Sequence, residues 1–241
     1  MKKLWLSEGM ISEVFWKALR SSYYSEKAEN EAALIANVTG PLVDRFPSIA
    51  GSISLEGTKM LWLATRYFSP QNVCEIGTYI GRSTLAISFG GLKTINKVYT
   101  CDGTFDCLEL EKFKESFSVE DKINAIEKIE YFGKTMSTDM LNTLKSKNVR
   151  IDFLFIDGRV SMQDCEILAQ ILSDDCIILL DDFEGVEKGV SNALLLRGLL
   201  KGHILLQPEY NEKTGYRGVT AMMIPANLLT LSRQQGLPVN M

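Results

Sequence analysis

The sequence predicts an α/β fold: a doubly wound, mostly parallel sheet of about seven strands, with an antiparallel hairpin at one edge and a helical N-terminal extension. From residue 72 onward, short apolar runs alternate with segments of helical periodicity. This alternation is typical of parallel sheets covered by helices on both faces. The runs FLFI and IILL are apolar throughout, as the central strands of such sheets are.

Three segments with apolar positions at helical spacing precede the first strand. Pro, Gly and Ser between the second and third segments favour a loop there. We therefore expect a helical extension over residues 1–50 and a main domain over residues 51–241. The three helical segments are residues 7–19, 25–46 and 56–68.

In the main domain, the predicted strands and helices follow one another in turn. Two closing apolar runs have no helix between them, so they predict the antiparallel edge hairpin. The predicted strands are residues 72–77, 97–103, 129–133, 151–158 and 176–183, with closing runs at 203–210 and 218–225. The predicted helices are residues 82–92, 118–129, 137–148, 161–172 and 189–200.

Composition narrows the functional classes. The 241 residues are 46% apolar, which is enough for a full-sized core, and the net charge of −4 makes nucleic acid an unfavourable partner. The first apolar run stops at Leu6 and no run reaches membrane-spanning length, so we expect no membrane association. Five cysteines without a C-x-x-C pair predict reduced thiols in a cytoplasmic protein, with Cys74, Cys101 and Cys176 in the core.

The segment VCEIGTYIGRST combines a predicted strand, an acid and two glycines four residues apart. Ligands of doubly wound sheets bind outside the carboxyl ends of the strands. Gly77 and Gly81 would allow the turn and let a ligand approach the backbone, and the helix starting near Arg82 offers free N–H groups. The dinucleotide fingerprint G-x-G-x-x-G and the P-loop pattern are both absent.

Two acids indicate the ligand. The carboxylate of Glu75 would repel a pyrophosphate and would suit a positively charged group, such as the amino group of an amino acid. Asp102 ends the second predicted strand, about twenty residues after the loop, where an acid can accept both hydroxyls of a ribose. S-adenosylmethionine carries an amino acid, a sulfonium and a ribose but no phosphate, so we expect it as the cofactor.

Four motifs, CEIGTYIGRST, YTCDG, IDFLFIDG and ILLDDF, occur in that order at suitable intervals. Together they resemble the Rossmann-like class I S-adenosylmethionine-dependent methyltransferases, and most of all the small-molecule O-methyltransferases of the catechol and caffeoyl-CoA kind and their natural-product relatives. The resemblance covers residues 50–225. It implies methyl transfer to a small-molecule acceptor, with oxygen expected before nitrogen, and an extension that covers the substrate or forms a homodimer.

At the matching positions, the resemblance implies a contact to each part of the cofactor. The residues are Glu75 and Gly77 at the methionine end, Thr78, Gly81 and Ser83 in the loop, Asp102 at the ribose, Thr135 and Met136 at the adenine, and Asp157 beside the sulfonium.

The resemblance also implies a metal site. In the cation-dependent members of the group, acids at the ends of the fourth and fifth strands bind a divalent ion, and here those positions hold Asp157, Asp181 and Asp182. Hard oxygen ligands of this kind suit Mg²⁺. The chain departs from the pattern at Phe183, where an amide is common, and at Val160, where Lys or His is common. Capping of the following helix is the other interpretation of Asp181 and Asp182.

Asp157 and Arg159 are the candidate catalytic residues, because both follow the fourth strand. Arg159 and Glu184 could orient a substrate, although a solvated or ion-paired loop position also accounts for Arg159. His203 is the only histidine, and we expect it to be a packed or surface residue rather than a general base.

Two other functions remain open. An RNA methyltransferase could use the same fold, but the acidic total and the lack of an N-P-P-Y-type tetrapeptide argue against it. A non-catalytic cofactor-binding protein is the other alternative, and the missing amide and Lys or His keep it open. The acceptor cannot be derived from fold and cofactor, because neither one determines it.

Overall fold

The computed structural model describes residues 8–20, 24–45, 52–183, 186–208, 210–211 and 216–228. Within these residues no helix is both long enough and apolar enough to cross a membrane. The helices are α1 (Glu8–Arg20), α2 (Ser25–Arg45), α3 (Leu55–Phe68), α4 (Arg82–Gly90), α5 (Leu110–Glu115), α6 (Glu120–Glu127), α7 (Ser137–Ser146), α8 (Met162–Ile171) and α9 (Gly189–Leu199). The strands are β1 (Asn72–Ile76), β2 (Lys97–Asp102), β3 (Ile129–Gly133), β4 (Ile151–Ile156), β5 (Leu172–Leu180), β6 (His203–Leu206), β7 (Tyr210–Asn211), β8 (Tyr216–Arg217) and β9 (Ala221–Pro225).

Seven strands form one sheet in the order β3-β2-β1-β4-β5-β9-β6. The strands from β3 to β5 pair in parallel, while β9 is antiparallel to both β5 and β6. The predicted doubly wound sheet with an antiparallel edge is therefore confirmed. The direction of the strand order reverses between β1 and β4, which places the crevice for a ligand at their carboxyl ends.

The structure differs from the prediction in three elements. Helix α5 was not predicted, and β7 and β8 form a small hairpin in the segment predicted as a loop. Strand β5 begins at Leu172, whereas the sequence predicted a start at Cys176. Leu172 pairs with β4, and the register then shifts over residues 173–175 before regular pairing resumes. These residues, Ser-Asp-Asp, are partly or fully exposed, and their polarity hid the start of the strand.

Both faces of the sheet are buried, which explains why its central strands are apolar without alternation. One face carries Val73, Phe153 and Leu179 and packs against residues of α1 to α4. The other face carries Cys74, Leu154 and Ile178 and packs against α7, α8 and α9. All five cysteines are buried and free, which confirms the predicted core positions of Cys74, Cys101 and Cys176.

The N-terminal helices are attached to the main domain through specific contacts. In α1, the indole Nε1 of Trp16 donates a hydrogen bond to the carbonyl of Gln207 at 2.7 Å. In α2, Glu31 accepts a hydrogen bond from Lys122 at 2.8 Å, and both side chains are largely buried. Apolar residues of both helices share the core with the sheet. The functional division at residue 50 stays a prediction.

A buried carboxylate joins the first turns of α7 and α8. Asp164 Oδ2 accepts hydrogen bonds from the hydroxyl of Ser137 at 3.0 Å and from the backbone N–H of Ser161 at 2.8 Å. Asp164 Oδ1 accepts from the hydroxyl of Thr138 at 2.6 Å. Ser161 and Asp164 also form the capping box of α8. The carboxylate therefore satisfies donors from two helices at once.

We expect Asp164→Ala to lower the free energy of unfolding by about 3 kcal/mol, because it leaves the buried hydroxyl of Ser137 and the donors of Thr138 and Ser161 without this acceptor. Urea denaturation monitored by circular dichroism would measure the loss. The matched control is Asp139→Ala, which removes an exposed acid from the first turn of α7 and should cost less than about 1 kcal/mol. Equal losses for the two variants would contradict the bridging role.

Candidate active site

The candidate site lies at the carboxyl ends of the central strands. Gly77 follows β1, Asp102 ends β2, Asp157 follows β4 and Asp181 follows β5. Since these four strands are parallel, their ends meet at one edge of the sheet. The structure therefore brings together the acids and the glycine turn that the sequence analysis singled out.

The two glycines of the turn have backbone angles that favour glycine, with φ of 104° at Gly77 and 81° at Gly81. A Cβ atom on Gly77 would lie 2.9 Å from the backbone nitrogen of Gly158 and 3.0 Å from the carbonyl carbon of Asp157. A Cβ atom on Gly81 would collide with the side chain of Leu108. In the direction in which a Cβ atom would point, both glycines therefore face protein atoms, and contact of a ligand with the backbone of the turn stays a prediction.

Glu75 is fully buried in β1, and only one of its carboxylate oxygens is satisfied. Oε2 accepts hydrogen bonds from the hydroxyls of Thr84 and Thr100, both at 2.5 Å. Oε1 is buried and has no hydrogen-bond partner in the described part of the chain. Burial raises the pKa of Glu75 to about 7, and three hydroxyls counter that rise: those of Thr100 and Thr84, and that of Ser83, which lies near the carboxylate without satisfying Oε1. A buried, unpaired carboxylate oxygen is costly, and a ligand ammonium would satisfy it.

The carboxylate of Asp102 holds two loops together. Its Oδ2 accepts a hydrogen bond from the backbone N–H of Tyr79 at 2.9 Å. Its Oδ1 accepts from the backbone N–H groups of Thr104 at 2.9 Å and Phe105 at 2.8 Å. A carboxylate has about four acceptor positions, so about one is left for a ribose hydroxyl. Accepting both hydroxyls, as the sequence analysis expected, would require one of these N–H groups to give up its bond.

The predicted adenine residues lie next to the end of β2. The backbone N–H of Thr135 donates to the carbonyl of Asp102 at 3.1 Å. Met136 is 61% exposed, and its sulfur lies close to Gly103. An exposed thioether next to the second strand end offers an apolar contact for a planar ring.

Three carboxylates lie together at the ends of β4 and β5. One oxygen from each of Asp157, Asp181 and Asp182 lies within 4.8 Å of the others. Burial, together with the nearby Asp181, raises the pKa of Asp157 to about 7, and burial also raises the pKa of Asp181. Asp181 accepts a hydrogen bond from the hydroxyl of Thr220 at 2.7 Å. The acids do not cap α9, whose N-cap residue is Lys188.

The ammonium of Lys188 lies between two of these acids. Its Nζ donates hydrogen bonds to Asp157 Oδ1 and Asp182 Oδ2, each at 2.6 Å. Burial lowers the pKa of Lys188, but the hydrogen bonds to Asp157 and Asp182 outweigh burial and raise it, so the side chain is charged. Lys188 is not among the site residues predicted from the sequence. Two features of the sequence could have indicated this lysine. Clustered acids need a cation, and Lys188 follows Asp181 and Asp182 closely in the chain.

The position of Lys188 bears directly on the predicted magnesium site. The three carboxylates offer the hard oxygen donors that Mg²⁺ prefers. The ammonium already bridges Asp157 and Asp182, and a divalent ion in the same space would meet its positive charge at short range. The residues present therefore do not fit a divalent metal ion while Lys188 holds this position.

Other candidates lie outside the cluster. Arg159 has a 73% exposed side chain, which donates to the backbone carbonyl of Glu187 at 3.3 Å. Its role as a catalytic residue stays a prediction. His203 bonds through its ring to the carbonyl of Cys176 at 3.0 Å, in keeping with a packed position. Val160 is buried, and Glu184 lies outside the described residues.

The sheet order, the glycine turn after β1 and the acids at the strand ends define a class I methyltransferase fold. Residues 74–183 match a family model that is described as a methyltransferase domain. The chain thus has the class I methyltransferase fold, and its central part matches a methyltransferase domain. No curated protein matches its sequence.

Solved structures with the same fold come from bacteria and a fungus. The Podospora anserina methyltransferase PaMTH1, bound to SAH, has a TM-score of 0.58 at 17% identity, covering 93% of this chain and 99% of its own. The O-methyltransferase TomG of Streptomyces achromogenes, in complex with SAM and involved in tomaymycin synthesis, has a TM-score of 0.57 at 15% identity, covering 91% and 99%. The Bacillus cereus O-methyltransferase in complex with SAH has a TM-score of 0.56 at 16% identity, covering 80% and 90%.

Proposed function

We propose that this methyltransferase transfers the methyl group of S-adenosylmethionine to a hydroxyl oxygen of a small molecule. The observation that carries the cofactor assignment is the buried, unpaired Oε1 of Glu75 next to the glycine turn. A site with one unsatisfied carboxylate oxygen matches a ligand that brings an ammonium group. The O-methyltransferases among the similar structures favour oxygen over nitrogen as the acceptor atom.

Each part of the cofactor has a candidate partner on the chain. Glu75 would hold the ammonium, Asp102 would accept a ribose hydroxyl, and Thr135 and Met136 would lie beside the adenine. When bound, S-adenosylmethionine supplies a sulfonium methyl group that an oxygen nucleophile displaces in line, which leaves the electron pair on sulfur. The protein aligns the two reactants and excludes water. Of the two predicted catalytic residues, only Asp157 lies in the acidic cluster.

The acceptor side is proposed to lie under the N-terminal helices. A cavity of about 20 Å³ lies between α1, α3 and the segment before β9. Thr220 lines this cavity and donates to Asp181, so the cavity adjoins the acidic cluster. A cavity of this size holds about one water molecule, so an acceptor would enter here only if α1 moved away, and the extension would then cover it. The other residues that line the cavity are Trp16, Arg20, Ser54, Gly57, Met60, Gly218 and Val219.

The resemblance also implies two further properties, which are assistance by a magnesium ion and a homodimer. The ammonium of Lys188 opposes the first, and no part of the proposal depends on a metal. For the second, sedimentation analysis of the purified chain would distinguish a monomer from a dimer.

The cofactor assignment predicts that S-adenosylmethionine binds and that its affinity rises with pH. Glu75 has a pKa raised to about 7, so it is mostly protonated at pH 6 and mostly ionised at pH 8. The ligand ammonium needs the ionised form, and the affinity should therefore increase about tenfold over this range. Titration calorimetry at both pH values would measure it. No heat from millimolar cofactor at pH 8 would refute the proposed function.

Glu75→Gln is expected to change cofactor affinity and stability in opposite directions. Without the carboxylate, affinity should fall by about 10- to 100-fold and lose its pH dependence. Because the raised pKa of Glu75 means that the folded state binds its proton more tightly, the stability of the unliganded protein falls as pH rises from about 4.5 to about 7. The variant should thus be more stable than the wild type at pH 8, by about 1–2 kcal/mol. Glu130→Gln, on the edge strand β3, is the control and should change neither property.

A further inference from the structure

The acidic cluster contains a cation that belongs to the protein. Lys188 Nζ lies 2.6 Å from one oxygen of Asp157 and 2.6 Å from one oxygen of Asp182. The first acid follows β4 and the second follows β5, so the lysine bridges two neighbouring strand ends. This bridging position between carboxylates is the one that a divalent ion would take.

The backbone around Lys188 fixes this position. Gly189 is buried against the end of β5, where a Cβ atom would lie 2.9 Å from the carbonyl carbon of Asp182. Gly189, which follows Lys188 in the chain, is therefore packed directly on Asp182, whose charge Lys188 neutralises. Lys188 is also half-buried, with 27% of its side chain exposed. It is thus held at the cluster more tightly than a lysine on a free surface loop.

The third carboxylate makes the need for a cation stronger. Asp181 lies within 4.8 Å of the other two acids, and it accepts hydrogen bonds from the hydroxyl of Thr220 and from the backbone N–H of Asp182, neither of which is charged. Carboxylates this close repel one another unless a cation or protons intervene. Without the ammonium, the same oxygens would form a compact set of hard ligands.

We propose that Lys188 takes the place of a divalent metal ion in this methyltransferase: its ammonium closes the acidic cluster to metal ions and offers its remaining N–H to the acceptor oxygen. An ammonium has three N–H donors, of which two are used by Asp157 and Asp182. The third N–H group can donate a hydrogen bond to an acceptor oxygen beside the cluster, in the position where a metal ion would bind that oxygen. The metal-exclusion part stands on geometry alone, whereas the acceptor part rests on the proposed function.

Manganese binding, followed by electron paramagnetic resonance without cofactor or acceptor, tests the exclusion. Lys188→Ala should bind one Mn²⁺ ion at the cluster, at least about tenfold more tightly than the wild-type protein does. The double variant Lys188→Ala with Asp157→Asn should lose that site again. The control is Lys147→Ala, which removes a lysine that pairs with Glu130 at 3.0 Å away from the cluster, and it should behave as the wild type.

The proposal is overturned if the wild type binds Mn²⁺ as tightly as Lys188→Ala, or if the alanine variant folds and gains no ion. Thermal melting would show whether that variant folds, and Lys188→Met is the second variant if it does not. Turnover of the wild type that survives exhaustive EDTA treatment is the expected result with any accepted substrate, and its loss would also overturn the proposal. Cofactor calorimetry is a separate measurement, so a failure of the proposed function would be recognised independently.

Discussion

Replacing Gly77 by alanine should lower the free energy of unfolding by about 3–5 kcal/mol, the largest stability effect that we expect for a single methyl group in this chain. The backbone at Gly77 has φ of 104°, which a residue with a side chain rarely adopts. In addition, the new Cβ atom would lie 2.9 Å from the nitrogen of Gly158 and 3.0 Å from the carbonyl carbon of Asp157. Backbone atoms cannot rotate away, so β1 and β4 would have to separate at the site.

Gly202→Ala is the matched control for this variant. Gly202 has φ of 105°, but no atom lies within 4 Å of the place where its Cβ would stand. Gly202→Ala should therefore lower the free energy of unfolding only through the strained backbone conformation, by about 1–2 kcal/mol. Denaturation curves of both variants would separate backbone strain from the clash. Equal losses would show that the contact with residues 157–158 has no role in stability.

Asp102→Ala should reduce cofactor affinity by about 100-fold or more, which is the largest effect on binding that we expect. The change removes a ribose acceptor and also releases the backbone N–H groups of Tyr79, Thr104 and Phe105. The glycine turn and the loop after β2 would then lose the group that holds them together. Titration calorimetry with S-adenosylhomocysteine would give the change in affinity.

Stability data would distinguish the two parts of this effect. Loss of three hydrogen bonds to a charged acceptor should also lower the free energy of unfolding of the unliganded protein by about 2–4 kcal/mol. If Asp102 served only the ribose, the unliganded protein would keep its stability. Asp121→Ala, an exposed acid on α6, is the control and should leave both properties close to those of the wild type.

The sheet could be predicted because its central strands are buried on both faces, and such strands appear in the sequence as apolar runs without alternation. The glycine turn was predictable for a similar reason, since positive φ favours glycine. The predicted start of strand β5 was four residues too late, because the Ser-Asp-Asp bulge near the beginning of the strand is polar and partly exposed to solvent. Local polarity reports solvent exposure, and it does not report backbone pairing.

The site could be predicted only in part. The acids at the strand ends were recognisable, because parallel strands bring their carboxyl ends to one edge. The hydrogen bonds from backbone N–H groups to the Asp102 carboxylate could not be predicted from the sequence, since every residue except proline has that donor. Lys188 was missed because its contact with Asp157 joins residues 31 positions apart and depends on how the chain returns after β5.

The burial of all five thiols has a consequence for the chemical reactivity of the chain. The thiolate is the reactive species, and burial raises the pKa of Cys101 to about 12 and that of Cys165 to about 11. Oxidants and alkylating reagents should therefore modify only molecules that have opened, at a rate set by the fraction that is open. Cys74, within β1, would report the opening of the whole sheet, whereas Cys107 would report the opening of the loop after β2 alone.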